Sequence, residues 1–147
     1  MAAALPARAE LRPADLEGRW VTSNGPEAKD ACPGCGLVLD LVPCGNGWCG
    51  IRVKSDKTCD RTVLHLDAGS STAFGLTFAG RYVPSERARP YIVKARLYER
   101  SGPGAPGHTG LSVHGSTDGD FLRRNYPLQM LLTRTGDAVC RAEAKTS

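Results

Sequence analysis

Six cysteines in a chain of 147 residues mark the positions at which this sequence could carry chemistry. Cys32-Pro33-Gly34-Cys35-Gly36 has the form of a zinc knuckle. Two thiolates two residues apart reach one ion, and the glycine that follows permits the tight turn. Adding Cys44 and Cys49 would complete a tetrahedral set of four thiolates. Their spacing argues against it, because structural zinc sites usually repeat the short two-residue gap. The same Cys-Pro-x-Cys turn could lower one thiol pKa and serve as a redox pair. Redox folds place such a turn at a helix start, and no helical pattern follows Cys35. The remaining reading is structural disulfides, which an even cysteine count in a small protein favours when the compartment is oxidising. Disulfides are therefore the expected state, with no cofactor. A zinc site at Cys32, Cys35, Cys44 and Cys49 is the alternative, and redox chemistry ranks third.

One pairing follows from local sequence. In Pro43-Cys44-Gly45-Asn46-Gly47-Trp48-Cys49-Gly50-Ile51, an Asn-Gly pair lies between two strand-like runs. Asn and Gly both tolerate the positive φ of a tight primed turn, so the segment reads as a hairpin. Such a hairpin brings Cys44 and Cys49 within bridging distance. Cys32, Cys35, Cys59 and Cys140 still allow three pairings, one of which, Cys59 with Cys140, would tether the C-terminal tail.

The other titratable groups suggest no site. His65, His108 and His114 are too dispersed for a metal triad, and read as satisfied or solvated imidazoles. Asp56, Asp60, Asp67, Asp118 and Asp120 fall mostly in turns, where carboxylates hydrogen-bond the backbone. Asp118-Gly119-Asp120 lacks the twelve-residue loop and terminal glutamate of a calcium site. No phosphate-binding glycine loop or nucleophile elbow is present. Arg81, Arg87, Arg89, Lys94, Arg96 and Arg100 form one local basic run. It reads as an outer face and loop, and its sharper reading is a patch for an anionic partner or membrane surface.

Composition bounds the answer further. The length suits one domain with a full core. Charge is mildly basic, a formal +4 with a pI near 8.8, and aromatic residues make up 6% of the chain. Nucleic-acid binders concentrate such charge in a stripe with stacking aromatics, so no nucleic-acid partner is expected. A membrane surface is disfavoured as well, and no apolar run reaches membrane-helix length. Met1 to Ala9 lacks the apolar core of a signal peptide, yet Ala2-Ala3-Ala4-Leu5-Pro6-Ala7-Arg8-Ala9 resembles the small-residue end of one. Together with the cysteines, this sets a periplasmic or secreted location as the expectation.

The elements that must position these groups are strands. The 17 glycines and 10 prolines suit a strand-and-turn architecture. Phe74, Leu76, Phe78, Gly80 and Tyr82 alternate with Gly75, Thr77, Ala79 and Arg81. Tyr91, Val93, Ala95 and Leu97 alternate with Ile92, Lys94, Arg96 and Tyr98, so that the outer face carries two cations. Further strands are expected at Arg19 to Ser23, Leu37 to Val42, Trp48 to Lys54, Thr62 to Leu66, Leu111 to His114 and Leu128 to Thr133. Leu37 to Val42 is nearly all apolar and reads as covered on both faces. Residues 1–12 read as a disordered arm, 13–140 as a single β-domain and 141–147 as a flexible tail. Pro13-Ala14-Asp15-Leu16 reads as one helical turn. About eight short strands imply a meander closed into a barrel or folded into a sandwich.

Gly18-Arg19-Trp20, the helical turn before it and the late Arg134 together resemble the calycin or lipocalin barrels. In that superfamily a Gly-x-Trp opens the first strand, and a late arginine packs over the tryptophan at the closed barrel end. Cys44-Gly45 and Cys49-Gly50-Ile51 narrow the likeness to an uncharacterised family of small bacterial exported proteins with a calycin-like barrel. The resemblance covers roughly residues 16–135, with motifs that are short. It implies an all-β, up-and-down antiparallel barrel of about eight strands, with Trp20 and Arg134 as its structural end cover. It implies a non-enzymatic exported protein that binds a small apolar ligand or an envelope component. The zinc-stabilised interaction module is the alternative, and an enzyme without a linear motif is the second.

Overall fold

The computed structural model describes residues 11–23, 36–73, 75–87, 89–100, 108–117 and 128–142. Cys32, Cys35, Asp118 and Asp120 lie outside the described residues, as do Phe74 and most of the N-terminal arm. A 3-10 turn, η1 (Pro13–Leu16), leads into nine strands. These are β1 (Gly18–Thr22), β2 (Val38–Cys44), β3 (Gly47–Val53), β4 (Cys59–Leu66), β5 (Ser70–Thr72), β6 (Gly75–Tyr82), β7 (Tyr91–Arg100), β8 (His108–Ser116) and β9 (Leu128–Gly136). Each pairs antiparallel with its neighbour in sequence, except that β4 and β5 share the same edge of β6. β9 returns to pair with β1, so eight of the strands form a closed, barrel-like ring. A closed meander leaves no long edge for another chain to extend.

Most expected strands form, with three differences. The tight turn between β2 and β3 is Gly45-Asn46, one residue earlier than the Asn-Gly pair suggested, because Cys44 pairs with Gly47. Gly45 takes the positive φ of 58°, as a primed turn with glycine at its first central position requires. β5 is a three-residue strand outside those expected, since Ser70, Ser71 and Thr72 carry no alternation to signal it. β8 begins at His108, three residues ahead of the strand expected from Leu111.

The alternating apolar residues face inward. Twenty of them, from Leu16 and Trp20 through Phe78 and Leu97 to Leu132, make one buried cluster inside the ring. An eight-strand ring has an interior just wide enough for side chains to fill. Leu11, read as part of the arm, packs against this cluster just ahead of η1.

A second cluster lies outside the ring. Val42, Cys49, Ile51, Val53 and Cys140 are buried together, with Val38, Cys44, Ala138 and Ala142 against them. The chain after β9 therefore folds over the outer face of β2 and β3. This is why the run from Leu37 to Val42 is buried on both faces: Leu39 and Leu41 lie inside the ring and Val42 under the C-terminal segment.

Among the described residues, two disulfides fix this arrangement. Cys44 and Cys49 close the β2–β3 hairpin, with Cα atoms 5.7 Å apart. Cys59 is joined to Cys140 across a sequence separation of 81, tying the C-terminal segment to the start of β4. Replacing Cys59 and Cys140 together by serine should cost about 2–4 kcal/mol, because the unfolded chain regains a long loop. Urea unfolding of the variant without reductant checks this, and an unchanged midpoint would show that the apolar contacts alone hold the segment.

Candidate functional site

Antiparallel alternation gives the ring two distinct ends. At one end lie η1, the start of β1 and the finish of β9. Trp20 is fully buried there and its indole Nε1 donates to the Leu16 carbonyl at 2.9 Å. Arg134, opposite Trp20 in the β1–β9 register, donates from Nε to the Glu17 carbonyl at 3.0 Å and pairs with Asp137 at 3.2 Å. Gly18 must be glycine at this crossing. Its φ is +152°, and a Cβ would run into the Arg134 guanidinium and lie 2.9 Å from the Gly136 carbonyl oxygen. Trp20 and Arg134 are thus register partners at the end of the ring that η1 approaches. Beside them, Ala14, Glu17, Arg134, Asp137, Ala138 and Arg141 line an open cleft of about 330 Å³. Its charges are mixed, two carboxylates against two guanidinium groups.

The opposite end carries the β3–β4 and β6–β7 connections, together with two rings. Tyr82 is buried and its ring centroid lies 6.2 Å from that of Tyr91, tilted by 33°. The two residues are register partners at the β6–β7 turn. Burial pushes the Tyr82 hydroxyl above its ordinary pKa, while Arg52 and Arg61 pull the other way and Tyr91 adds to the rise. Arg61 is itself anchored by donating from Nη2 to the Val83 carbonyl at 3.0 Å. This rim therefore combines two aromatic rings continuous with the core and two guanidinium groups whose charge reaches Tyr82. Sequence reasoning named neither Arg52 nor Arg61, and it marked the tyrosines only as strand residues. Their convergence depends on ring closure between β4 and β6.

A third cluster is the C-terminal clasp. Asp40 is fully buried on the outer face of β2. Its carboxylate accepts from Arg19 Nε at 2.7 Å and Nη2 at 3.0 Å, and from the backbone N–H groups of Val139 and Cys140, both at 2.8 Å. Asp40 escaped the sequence analysis because a single carboxylate in an apolar run gives no sign of what will cover it. Four donors from two distant segments converge on this one buried carboxylate, two of them from a charged guanidinium.

Of the cysteines proposed as zinc ligands, Cys44 and Cys49 are bonded to each other. The four-thiolate alternative therefore loses two of its ligands in this oxidised form, since only thiolates coordinate zinc. Among the described residues, no group of three or more histidines, cysteines or carboxylates could hold a metal ion. His65 Nδ1 lies 3.8 Å from Cys49 Sγ, and burial and Arg81 lower its pKa. His114 is lowered likewise, by burial and by Lys94 and Arg96. Asp56 and Asp67 serve their turns as expected: Asp56 accepts from Thr58 N at 3.0 Å, and Asp67 from Gly69 N at 2.9 Å. Asp60 instead belongs to β4.

The architecture is a closed, barrel-like antiparallel meander of eight strands, with Trp20 and Arg134 at one end and an outer clasp at Asp40 and Cys140. No family model matches the chain, and neither the curated proteins nor the solved structures searched contain a match.

Proposed function

We propose that this protein is a small exported, non-enzymatic β-barrel of the calycin-like kind, binding a small apolar ligand or an envelope component at the Tyr82–Tyr91 end of its ring. The observation that carries the reading is the pairing of a capped end with an opposite rim of tyrosines and arginines. Aromatic faces supply apolar contact, while a few placed polar groups give orientation. Twenty buried side chains already occupy the interior, so a ligand seats at the rim rather than deep in the ring. The two disulfides support an oxidising compartment.

The test has two parts. Protein made in an oxidising compartment without reductant should lose about two mass units per bridge when denatured, and show no metal adduct in the native spectrum. Free thiols with stoichiometric zinc would instead support the interaction-module alternative. A titration with an environment-sensitive apolar fluorophore should then saturate, and Tyr82→Ala or Tyr91→Ala should weaken it about tenfold, the loss of one well-packed ring contact. Binding unchanged in both variants would remove the rim from consideration.

A further inference from the structure

The rim carries a charge that an apolar ligand leaves without a role. On β3, Ile51 and Val53 belong to the outer cluster, so Arg52 between them takes the inward register. Its partner on β2, Leu39, is buried inside the ring. On β4, Thr62 pairs with Ile51, and alternation turns Arg61 inward. The β3–β4 pairing is irregular on both sides of Ile51, the kind of bulge that re-aims a side chain at a barrel rim. Tyr82 lies within the interior cluster and Tyr91 packs against it. Inward side chains of a closed ring converge where outward ones diverge. Four residues from β3, β4, β6 and β7, successive strands of the ring, therefore meet at one mouth. Burial raises the Tyr82 hydroxyl pKa, and Arg52, Tyr91 and Arg61 each act on it, which places all three within electrostatic reach of one oxygen.

Neither guanidinium has a carboxylate partner among the described residues. The ion pairs there join Arg19 to Asp40 and Arg134 to Asp137, and Asp60, next to Arg61, supplies none. The bond from Arg61 Nη2 to the Val83 carbonyl holds that side chain at the mouth. Arginine presents its donors as a planar fork that matches the oxygens of a carboxylate or phosphate. Two such forks at one mouth suit an anion. The rest of the ligand is set by the apolar surface still within reach. Leu39, Val93 and Leu128 are fully buried beneath the mouth, which leaves no slot for an alkyl chain. Tyr91 is half-buried and offers a ring face to a flat partner.

We propose that the mouth formed by Arg52, Arg61, Tyr82 and Tyr91 binds a small aromatic anion. Its carboxylate, sulfonate or phosphate group lies between the two guanidinium groups, and its ring lies against Tyr91. The inference rests on the rim reading and narrows it, from an apolar ligand to an aromatic one with a negative charge.

Two fluorophores with one aromatic skeleton test it, anilinonaphthalene sulfonate and its neutral counterpart phenylnaphthylamine. The oxidised protein should bind the sulfonate about tenfold more tightly, the gain expected from one charge-assisted hydrogen bond. High salt should reduce that preference. Arg52→Gln should remove most of it and leave the neutral dye unchanged, while Arg52→Lys, which keeps the charge but not the fork, should restore it only in part. Arg81→Gln, equal in charge and adjacent to Tyr82 but in the outward register, should leave both dyes unchanged. Naphthoate should displace the sulfonate dye, whereas palmitate and inorganic phosphate should not. Equal binding of the two dyes, with Arg52→Gln silent, would overturn the anion and leave the rim reading standing. Binding of neither dye would overturn both. Displacement by palmitate would make the mouth an acyl-chain site, and displacement by phosphate alone a plain anion site; either overturns the aromatic anion. A loss in Arg81→Gln equal to that in Arg52→Gln would do the same, by assigning the preference to overall charge. Thermal melting of the Arg52 variants, whose exposed side chain makes no ion pair among the described residues, confirms that the fold is intact.

Discussion

Trp20→Ala should destabilise the protein by about 3–5 kcal/mol, the range for removing a large buried aromatic side chain. Trp20 is fully exposed to loss because every part of it is engaged. Its rings lie in the interior cluster, and its indole N–H satisfies the Leu16 carbonyl at the end of η1. Removing it would open a void under η1 beside Arg134, its register partner on β9. The guanidinium would then hold η1 only through the Glu17 carbonyl. For a domain of this size the loss corresponds to a fall in Tm on the order of 10 °C. Trp20→Phe separates the two contributions. It keeps most of the apolar bulk but abandons the Leu16 carbonyl, and should cost about 1–2 kcal/mol. Denaturant unfolding followed by Trp48 fluorescence measures both. A change below 1 kcal/mol for the alanine variant would contradict the end-cover role.

Asp40→Ala should have a comparable effect, about 3–5 kcal/mol, for a different reason. Removing one partner of a buried ion pair strands the other, here Arg19, together with the N–H groups of Val139 and Cys140. The C-terminal segment would then depend on the Cys59–Cys140 bridge and on apolar contact with Val42, Cys49, Ile51 and Val53. Because both variants act on that segment, Asp40→Ala and the Cys59/Cys140 double replacement should not add independently.

The same carboxylate sets an acid limit. Burial by itself would raise the Asp40 pKa, but the Arg19 hydrogen bonds and the two backbone donors prevail and hold it below the ordinary carboxylate range. A depressed native value means that the unfolded chain binds more protons as pH falls past about 3.9, the unperturbed aspartate value. The stability contributed by Asp40 is therefore complete above that pH and lost as pH drops through the native value. Wild type should show a steep acid limb in stability, and Asp40→Ala a shallower one. Parallel limbs would show that other carboxylates dominate acid unfolding.

Much of this was legible from residues alone. Period-two alternation placed Leu76, Phe78, Tyr82, Val93, Ala95 and Leu97 inside and Lys94 and Arg96 outside, as observed. Cysteine spacing across a tight turn placed the Cys44–Cys49 bridge. The turn was misread by one residue because Gly45, Asn46 and Gly47 all tolerate positive φ, and only pairing across the hairpin chooses among them. The rim of Tyr82, Tyr91, Arg52 and Arg61 was not legible. Its members come from β3, β4, β6 and β7, and nothing local to any one of them signals the others.

By itself the sequence determined the all-β character, the inward and outward faces of the strands and the local disulfide, since each depends on residues a few positions apart. The tertiary structure alone decided three things. β9 meets β1 to close the ring, the chain after Gly136 folds back over β2, and Asp40 becomes the buried junction between them. These contacts join segments about 100 residues apart, as in the Cys140–Asp40 bond. Their chain entropy is recovered only when the whole meander has assembled, so no local pattern announces them.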